Sequence, residues 1–416
     1  MHGILSAGTV RSLTVDSVAP DAFERVNAFV GAAGGRCMGW VGYDQLRADP
    51  LLELPEQGPT AVALPLVHWV EPAGVLAFRL GEAPTWDWLR EPHDDALRTA
   101  MEDAVRHARP VEEPSAGMAT ASDVTSSLDR ADYLDAFRKV HGHILRGDIY
   151  ELNLCRELSG RLPEEWDAAD AFTRLVGRTS APYSSFMALG ECHILSASPE
   201  CFLEKTGRRL VSRPIKGTAP RHADAEQDAM VAEGLRTDPK ERAENVMITD
   251  LVRNDLSRLA APASVEVEEL CGIHSFRNVH QMISTVACTV RDGVGFADIM
   301  RATFPMGSMT GAPKLRAVEI TAEVEPVLRG LYSGTAGWAE PDGQGGIGDF
   351  HLNVVIRTIM ADGDSRRWSA HVGGAITALA LPENEWEETR LKARSLLEVL
   401  GARESVVPAH ESDIHG

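Results

Sequence analysis

Two features of this chain stand out for the chemistry they could do: a lysine followed by a glycine, and two pairs of glutamates each set one helical turn apart. The lysine stands in Arg213-Pro214-Ile215-Lys216-Gly217-Thr218, shortly after Ser198-Pro199-Glu200. Pro214 fixes its own φ, Gly217 lacks a side chain and Thr218 adds a hydroxyl, so the segment reads as a strand end offering an amine and backbone amides to a small anion. Such an amine can attack as a nucleophile or act only as an electrostatic clamp. The glutamates are Glu241 with Glu244 and Glu385 with Glu388. Carboxylates at that spacing share a helix face and repel unless a cation sits between them. Many such pairs are no more than a solvated face, and Glu241 after Asp238-Pro239 also suits a capping box. Arg357, following Val354-Val355-Ile356, can fork onto a carboxylate or close a structural ion pair. Ser308 and Thr310 precede a helix and by default cap it. Lys392 stands one turn after Glu388, as in a plain helix salt bridge, and His280 taken singly reads as an ordinary satisfied histidine.

Four segments together carry a resemblance. They are RPIKGT at 213–218, KERAEN at 240–245 running on to DLVRNDL at 250–256, FPMGSMTGAPK at 304–314, and EWEETRLKA at 385–393. In order and spacing they resemble the chorismate-utilising enzymes, the family of the anthranilate and aminodeoxychorismate synthase components I and of the isochorismate and salicylate synthases, over about residues 133–397. A lysine at 216 is similar to the aminodeoxychorismate branch, whereas the anthranilate and isochorismate branches usually carry alanine there.

The resemblance implies an α+β fold, a large mixed β-sandwich core flanked by helices. It also implies Mg²⁺ held directly by Glu244 and Glu388 and through water by Glu241 and Glu385, as suits a hard cation that keeps part of its hydration. Ser308 would meet the ring carboxylate of chorismate, and Tyr332 and Arg357 its enolpyruvyl carboxylate, with Lys392 nearby. Gly217, Thr218 and the backbone N–H groups of Gly373 and Ala375 complete the implied binding set, and His280 would face the reacting side of the ring. By the same resemblance Glu200 is the general acid and Lys216 attacks C2 as the C4 hydroxyl leaves. Ammonia then gives 4-amino-4-deoxychorismate, for p-aminobenzoate and folate or related secondary metabolism. The competing readings are anthranilate formation and chorismate binding without turnover. Two departures stand out: Glu151 replaces the glutamine usual in the aminodeoxychorismate branch, where isochorismate synthases have a water-activating lysine, and Ala375 replaces a glycine. TALALP at 377–382 also lacks the usual acidic-serine run.

The elements that must position these residues follow from periodicity. Residues 129–145 carry Tyr133, Leu134, Phe137, Val140, Ile144 and Leu145 on one helical stripe that ends near Gly147. Helices are also expected over 239–259, 312–325 and 383–400, and strands over 61–67, 148–154, 193–196, 282–290, 334–338 and 353–359. Without regular βαβ alternation the class is α+β. The chain divides into an N-terminal part (1–110) of unclear function, a Pro-, Ser- and Thr-rich connecting loop (111–127), a catalytic part (128–402) and a polar tail (403–416) expected to fray.

With 61 acidic against 41 basic residues among 416, the formal charge of −20 works against nucleic-acid binding and suits a metal cation. No apolar run reaches the ~18 residues of a membrane span and the start lacks a basic, then apolar leader, so the cytoplasm is expected. Six scattered cysteines show neither disulfide density nor paired metal spacing. Gly35-Arg36-Cys37-Met38-Gly39 matches a glutaminase nucleophile loop, but only 36 residues precede Cys37 and no His-x-Glu follows. Ammonia is therefore expected from a separate glutamine amidotransferase subunit.

Overall fold

Strands rich in β-branched and aromatic residues pair edge to edge into two large sheets. The computed structural model describes residues 2–79, 85–89, 95–107, 124–179 and 181–404. The larger sheet runs His2–Val15, Val67–Arg79, Cys37–Val41, Thr335–Pro341, Ile347–Val354, Cys201–Thr206, Arg209–Arg213, Val279–Thr289, Ile215–Pro220, with Thr85–Leu89 and Glu266–Ser275 attached beside it. The smaller runs Gly311–Ala312, Glu151–Arg161, Arg367–Ile376, Thr358–Asp362, Cys192–Ser198, Tyr183–Leu189, with Thr125–Ser126 beside Glu151–Arg161. Every described ladder is antiparallel; the one parallel contact is the isolated Gly58–Val327 bridge.

One buried cluster joins Cys155, Ile194 and Met360 of the smaller sheet to Phe202, Leu203, Val286 and Leu352 of the larger, so the main core lies between them. On the smaller sheet's other face, Leu158, Leu195 and Trp368 pack with Leu175 and Leu396 of the helices Ala168–Thr179 and Pro382–Val399. Helices Arg130–Arg146 and Lys314–Val324 cover the rest through Tyr133, Phe137 and Ile320. This is the expected α+β class. The described residues of the N-terminal part join the same fold, since Cys37–Val41 pairs with Thr335–Pro341 inside the larger sheet.

Several expected boundaries move. Residues 61–66 are irregular and the strand starts at Val67. The strand expected over 148–154 is Glu151–Arg161, since left-handed Gly147 ends the helix and 148–150 turn the chain. The strand expected over 353–359 is broken at Arg357, whose φ of 51° takes it out of extended geometry. The end of the connecting loop is a strand, Thr125–Ser126, on Ser159 and Leu158; residues 108–123 and the tail beyond 404 lie outside the described residues.

Candidate active site

The chain passes twice from one sheet to the other at the same seam, and each crossing carries a charged side chain. Cys192–Ser198 leads through Pro199 and Glu200 into Cys201–Thr206, and Ile347–Val354 leads through Arg357 into Thr358–Asp362. The crossings bond to each other: Val354 N donates to Glu200 O (3.1 Å), Ala197 N to Arg357 O (3.1 Å) and the Ser198 hydroxyl to Val354 O (2.5 Å). Glu200 is 5% exposed, and burial pushes its carboxyl up to about 7. Its Oε1 accepts the Ser308 hydroxyl at 2.6 Å. The Arg357 guanidinium makes no hydrogen bond or ion pair among the described residues. Burial weakens its hold on a proton, and Glu200 is the acid that opposes this. A half-buried cation without a hydrogen-bond partner among the described residues, on a backbone in a sparsely populated region, is what an anion site looks like before its ligand arrives.

Ser308 is not an N-cap, since helix Lys314–Val324 starts beyond it and is capped by Pro313 without a side-chain bond. It sits in the 3-10 turn Gly307–Met309, and Asn153 Nδ2 donates to its carbonyl (3.1 Å). The Thr310 hydroxyl bonds back to Met306 O (3.1 Å). Arg329 braces the same turn, donating to Met309 O (2.7 Å) and Asn153 O (2.8 Å) while Glu325 holds it at 2.7 Å.

Lys216 lies on Ile215–Pro220 at a register shift between Ile215 and Thr218. Gly217 has φ +89°, and a Cβ there would stand 3.0 Å from Glu241 Oε2. Lys216 Nζ donates to Glu151 Oε1 at 2.6 Å, with the two side chains 11% and 1% exposed. Burial alone would lower this amine, but Glu151, Glu244 and Glu200 outweigh it and push it up to about 12. Thr218, opposite Gln281, is exposed.

The four glutamates come from the expected helices. Asp238 caps Pro239–Ser257 by accepting from Lys240 N (2.8 Å) and Glu241 N (3.0 Å), and Glu244 follows on the buried side. Glu385 and Glu388 lie on Pro382–Val399, where a Cβ on Gly374 would fall 2.9 Å from Glu385 Oε2 and 3.8 Å from Glu388 Oε1. The two helices face each other across Lys240, whose Nζ is 3.8 Å from Glu244 Oε1 and 3.6 Å from Glu385 Oε1. Burial pushes Glu244 and Glu385 each up to about 7 and also raises Glu241. Glu388, half-buried, is held low chiefly by Lys392 against the opposing effect of desolvation. Glu244 Oε1 and Glu385 Oε2 are buried without a hydrogen-bond partner. Orphaned carboxylate oxygens from two helices, with no nitrogen or sulfur donor, fit a hard divalent cation. The four acids are spread more widely than a closed coordination shell: among the described residues, the three-ligand group within 4.8 Å is Cys201, Glu204 and His351. That group already holds a cation, because Arg213 bonds Glu204 and lies 3.7 Å from the Cys201 thiol.

The remaining candidates are placed as follows. Tyr332 is buried, its hydroxyl accepts from the Cys155 thiol (3.8 Å), and its ring stacks on His371 at 5.1 Å. Gly373 and Ala375 pair with Cys155 and Asn153; Thr358–Asp362 flanks their strand only at Arg367–Ser369, so among the described residues their outer edge has no strand beside it. Ala375 keeps a negative φ, so the alanine adds no left-handed strain. Lys392 pairs with Glu388 (2.7 Å) and donates to Gly373 O (2.8 Å). His280 has both ring nitrogens engaged, one with Asp228 (3.0 Å) and one with the Ser275 hydroxyl (2.8 Å), and touches neither Lys216 nor Glu200 among the described hydrogen bonds. Cys37 is buried in a strand with its thiol pushed up to about 12 by burial, the opposite of an activated nucleophile. Sequence reasoning missed Lys240, Asn153 and Arg329. Lys240 and Arg329 each stand one turn from a glutamate, a spacing that on most helices marks a solvated pair.

The model of the chorismate binding enzyme family matches residues 9–398. Aminodeoxychorismate synthase component 1 of Klebsiella aerogenes is 35% identical over 379 residues, 88% of this chain and 77% of that protein. Anthranilate synthase component 1 of Streptomyces coelicolor is 36% identical over 320 residues, 74% of this chain and 61% of its own length. Anthranilate synthase component I of Streptococcus pneumoniae shares the fold with a TM-score of 0.78 at 24% identity, covering 95% of this chain and 92% of that one. With these matches and the two-sheet seam behind it, the chain belongs to the chorismate binding enzyme family.

Proposed function

We propose that this protein is the chorismate-converting component of an aminodeoxychorismate synthase, forming 4-amino-4-deoxychorismate from chorismate and ammonia. The observation that carries the reading is Lys216, a largely buried amine paired with Glu151 at 2.6 Å and feeling the charges of Glu244 and Glu200. Hydroxide is a poor leaving group, so loss of the C4 hydroxyl needs an acid, and a carboxyl pushed up to about 7 still carries its proton in much of the molecule near neutral pH. The Ser308 hydroxyl fixes the orientation of that acid. The free Arg357 guanidinium suits the enolpyruvyl carboxylate, and Tyr332, whose hydroxyl meets the Cys155 thiol opposite Gly373, would help to bind the substrate. Glu241, Glu244, Glu385 and Glu388 would hold Mg²⁺, whose charge would offset that of the ring carboxylate. Lys216 supplies the nucleophile that opens the C4 position to ammonia.

Ammonia is proposed to come from a glutamine amidotransferase subunit, since Cys37 is a buried strand thiol. The anthranilate reading draws on the Streptomyces coelicolor relative, and Lys216 argues against it. Incubation with chorismate, Mg²⁺ and ammonium followed by product analysis separates the outcomes. The 4-amino product, lost in Lys216→Ala with chorismate binding retained, supports the reading; fluorescent anthranilate, or unchanged chorismate, overturns it. Glutamine should replace ammonium only when the amidotransferase is added.

A further inference from the structure

Lys216 sits at a weak point of its sheet. Its strand, Ile215–Pro220, ends the order of the larger sheet and pairs with Val279–Thr289 alone among the described residues. That ladder joins Ile215 to Ile283 and resumes at Thr218 with Gln281, so Lys216 and Gly217 fall in the gap where the register shifts. Helix Ala225–Thr237 leans on this gap: a Cβ on Gly217 would stand 3.2 Å from Leu235 Cδ1. A helix of that length has little stability by itself, and the residues it buries are Asp228 and Leu235. Leu235 packs with Cys271 and Met282. Asp228 is bonded from three directions. Arg221 Nε lies 2.9 Å from both carboxylate oxygens, His222 N donates to Oδ1 at 2.7 Å, and a His280 ring nitrogen stands 3.0 Å from Oδ1. Arg221 and His222 directly follow the lysine strand, and His280 lies on the partner strand opposite Ala219. The far sides are tied as well, since Arg221 Nη1 donates to Phe276 O (2.8 Å) and the second His280 nitrogen meets the Ser275 hydroxyl (2.8 Å). One carboxylate thus joins the exit of the lysine strand, the neighbouring strand and the helix through charge-assisted bonds, which are the strong ones.

We propose that Asp228 is a positioning residue for Lys216: by fixing helix Ala225–Thr237 it seats Leu235 against Gly217 and holds the unpaired lysine segment in place. This rests on the reading of Lys216 as the nucleophile. It also gives His280 a task, as a ligand of Asp228 rather than a partner of the substrate ring. Asp228 touches neither Lys216 nor Glu200 among the described hydrogen bonds, so its effect passes through the backbone and Leu235. A reacting group displaced by about 1 Å can cost on the order of 100-fold in rate. Arg357 and Ser308, which suit the substrate's carboxylates, stand on other elements, so loss of the clamp acts on kcat rather than KM. The two holds are separated by seven residues, or roughly 10 Å along a helix. Independent effects at such a distance normally add. Two holds of one seat behave differently: releasing either unseats the helix, and releasing the second costs little more.

The test uses the whole chain with chorismate, Mg²⁺ and ammonium, comparing wild type, Lys216→Ala, Asp228→Asn, Asp228→Ala, Leu235→Ala and the Asp228→Ala/Leu235→Ala double variant at a temperature where circular dichroism shows each folded. Asp228→Ala should lower kcat about 30-fold with KM for chorismate within about threefold. Asp228→Asn keeps one acceptor oxygen for Arg221 and His222 N, and should recover part of that loss. The double variant should stay within about threefold of Asp228→Ala. A second arm omits substrate: brief acylation with acetic anhydride, mapped by mass spectrometry, should modify Lys216 about tenfold faster in Asp228→Ala than in wild type. Lys314, held by Asp255 at 2.6 Å, should react at its wild-type rate in both. Wild-type kcat in Asp228→Ala, a rise in KM in place of a fall in kcat, losses that multiply in the double variant, or labelling that stays unchanged at Lys216 or rises equally at Lys314 each overturn the proposal. If Asp228→Ala does not fold, Asp228→Asn carries both arms, and wild-type kcat or wild-type labelling of Lys216 in that variant overturns it. Absence of the amino product in wild type, or its persistence in Lys216→Ala, overturns the nucleophile reading instead, and the labelling arm, which needs no turnover, then decides the seating of Lys216 separately.

Discussion

Glu200 and Arg357 stand on adjacent crossings, and burial raises the carboxyl to about 7 while loosening the guanidinium's hold on its proton. For Glu200 that state has a pH signature. A general acid works while protonated, so a carboxyl raised to about 7 supports turnover below that value and loses it as pH rises through it. Glu200→Gln keeps an acceptor for the Ser308 hydroxyl but has no acidic proton; kcat should fall about 100-fold, with the basic limb near pH 7 abolished. A limb that survives in the glutamine variant would assign it to another group. Arg357 carries strain as well as charge, for its left-handed φ of 51° suits glycine better than any other residue. Arg357→Gly should therefore hold or raise Tm while raising KM for chorismate about tenfold or more through loss of the guanidinium. A lower Tm in the glycine variant would mean that the arginine is there for stability.

At the scale of elements, the proposed cation site depends on how helix Pro239–Ser257 begins. Asp238 accepts two backbone N–H groups at that end, and Glu241 and Glu244 occupy the next turns. Asp238→Ala should cost about 1 kcal/mol of stability by losing the cap, and fraying of the first turn should weaken Mg²⁺ binding, read by calorimetric titration. Unchanged Mg²⁺ affinity would detach the cap from the site. This start was legible in the sequence, because Asp-Pro followed by a glutamate is a local signal, and so were helix Arg130–Arg146 and the spacing of both glutamate pairs. What stayed hidden depends on contacts between distant segments. No local pattern says that the strand over 353–359 breaks at Arg357 to change sheets, since Val354-Val355-Ile356 reads as a strand either way. The bond from Lys216 to Glu151 joins positions 65 residues apart, so the sequence marks both residues without linking them. The brace of Arg329 on the Ser308 turn fails to show for the same reason: Glu325 and Arg329 are written as a surface pair and buried as a core one.

Across the whole molecule, Glu200 and the acids of the two facing helices couple stability to pH and, if the proposed Mg²⁺ binds there, to the cation. Glu200, Glu244 and Glu385 each rise from an ordinary value of 4.5 to about 7 through burial. The folded protein therefore binds these protons more tightly than the unfolded chain, and the stability they contribute at low pH is lost as pH climbs from about 4.5 to 7. Glu388 is shifted the other way, so its contribution is present above the ordinary carboxylate value and lost only in stronger acid. A net charge of −20 pushes in the same direction as the raised acids, since self-repulsion grows as carboxyls ionise. General repulsion is relieved by any salt, whereas ionised carboxylates on two facing helices are relieved by a bound divalent cation. In EDTA the Tm should thus fall between about pH 5 and 7.5. Mg²⁺ should restore it at the higher pH and do little at the lower, where it would have to displace protons, and sodium chloride of equal ionic strength should not reproduce the effect. An equal Mg²⁺ shift at both pH values, or a sodium control that matches it, would mean that the four glutamates act as ordinary surface charge and that the ring carboxylate meets its positive partner elsewhere.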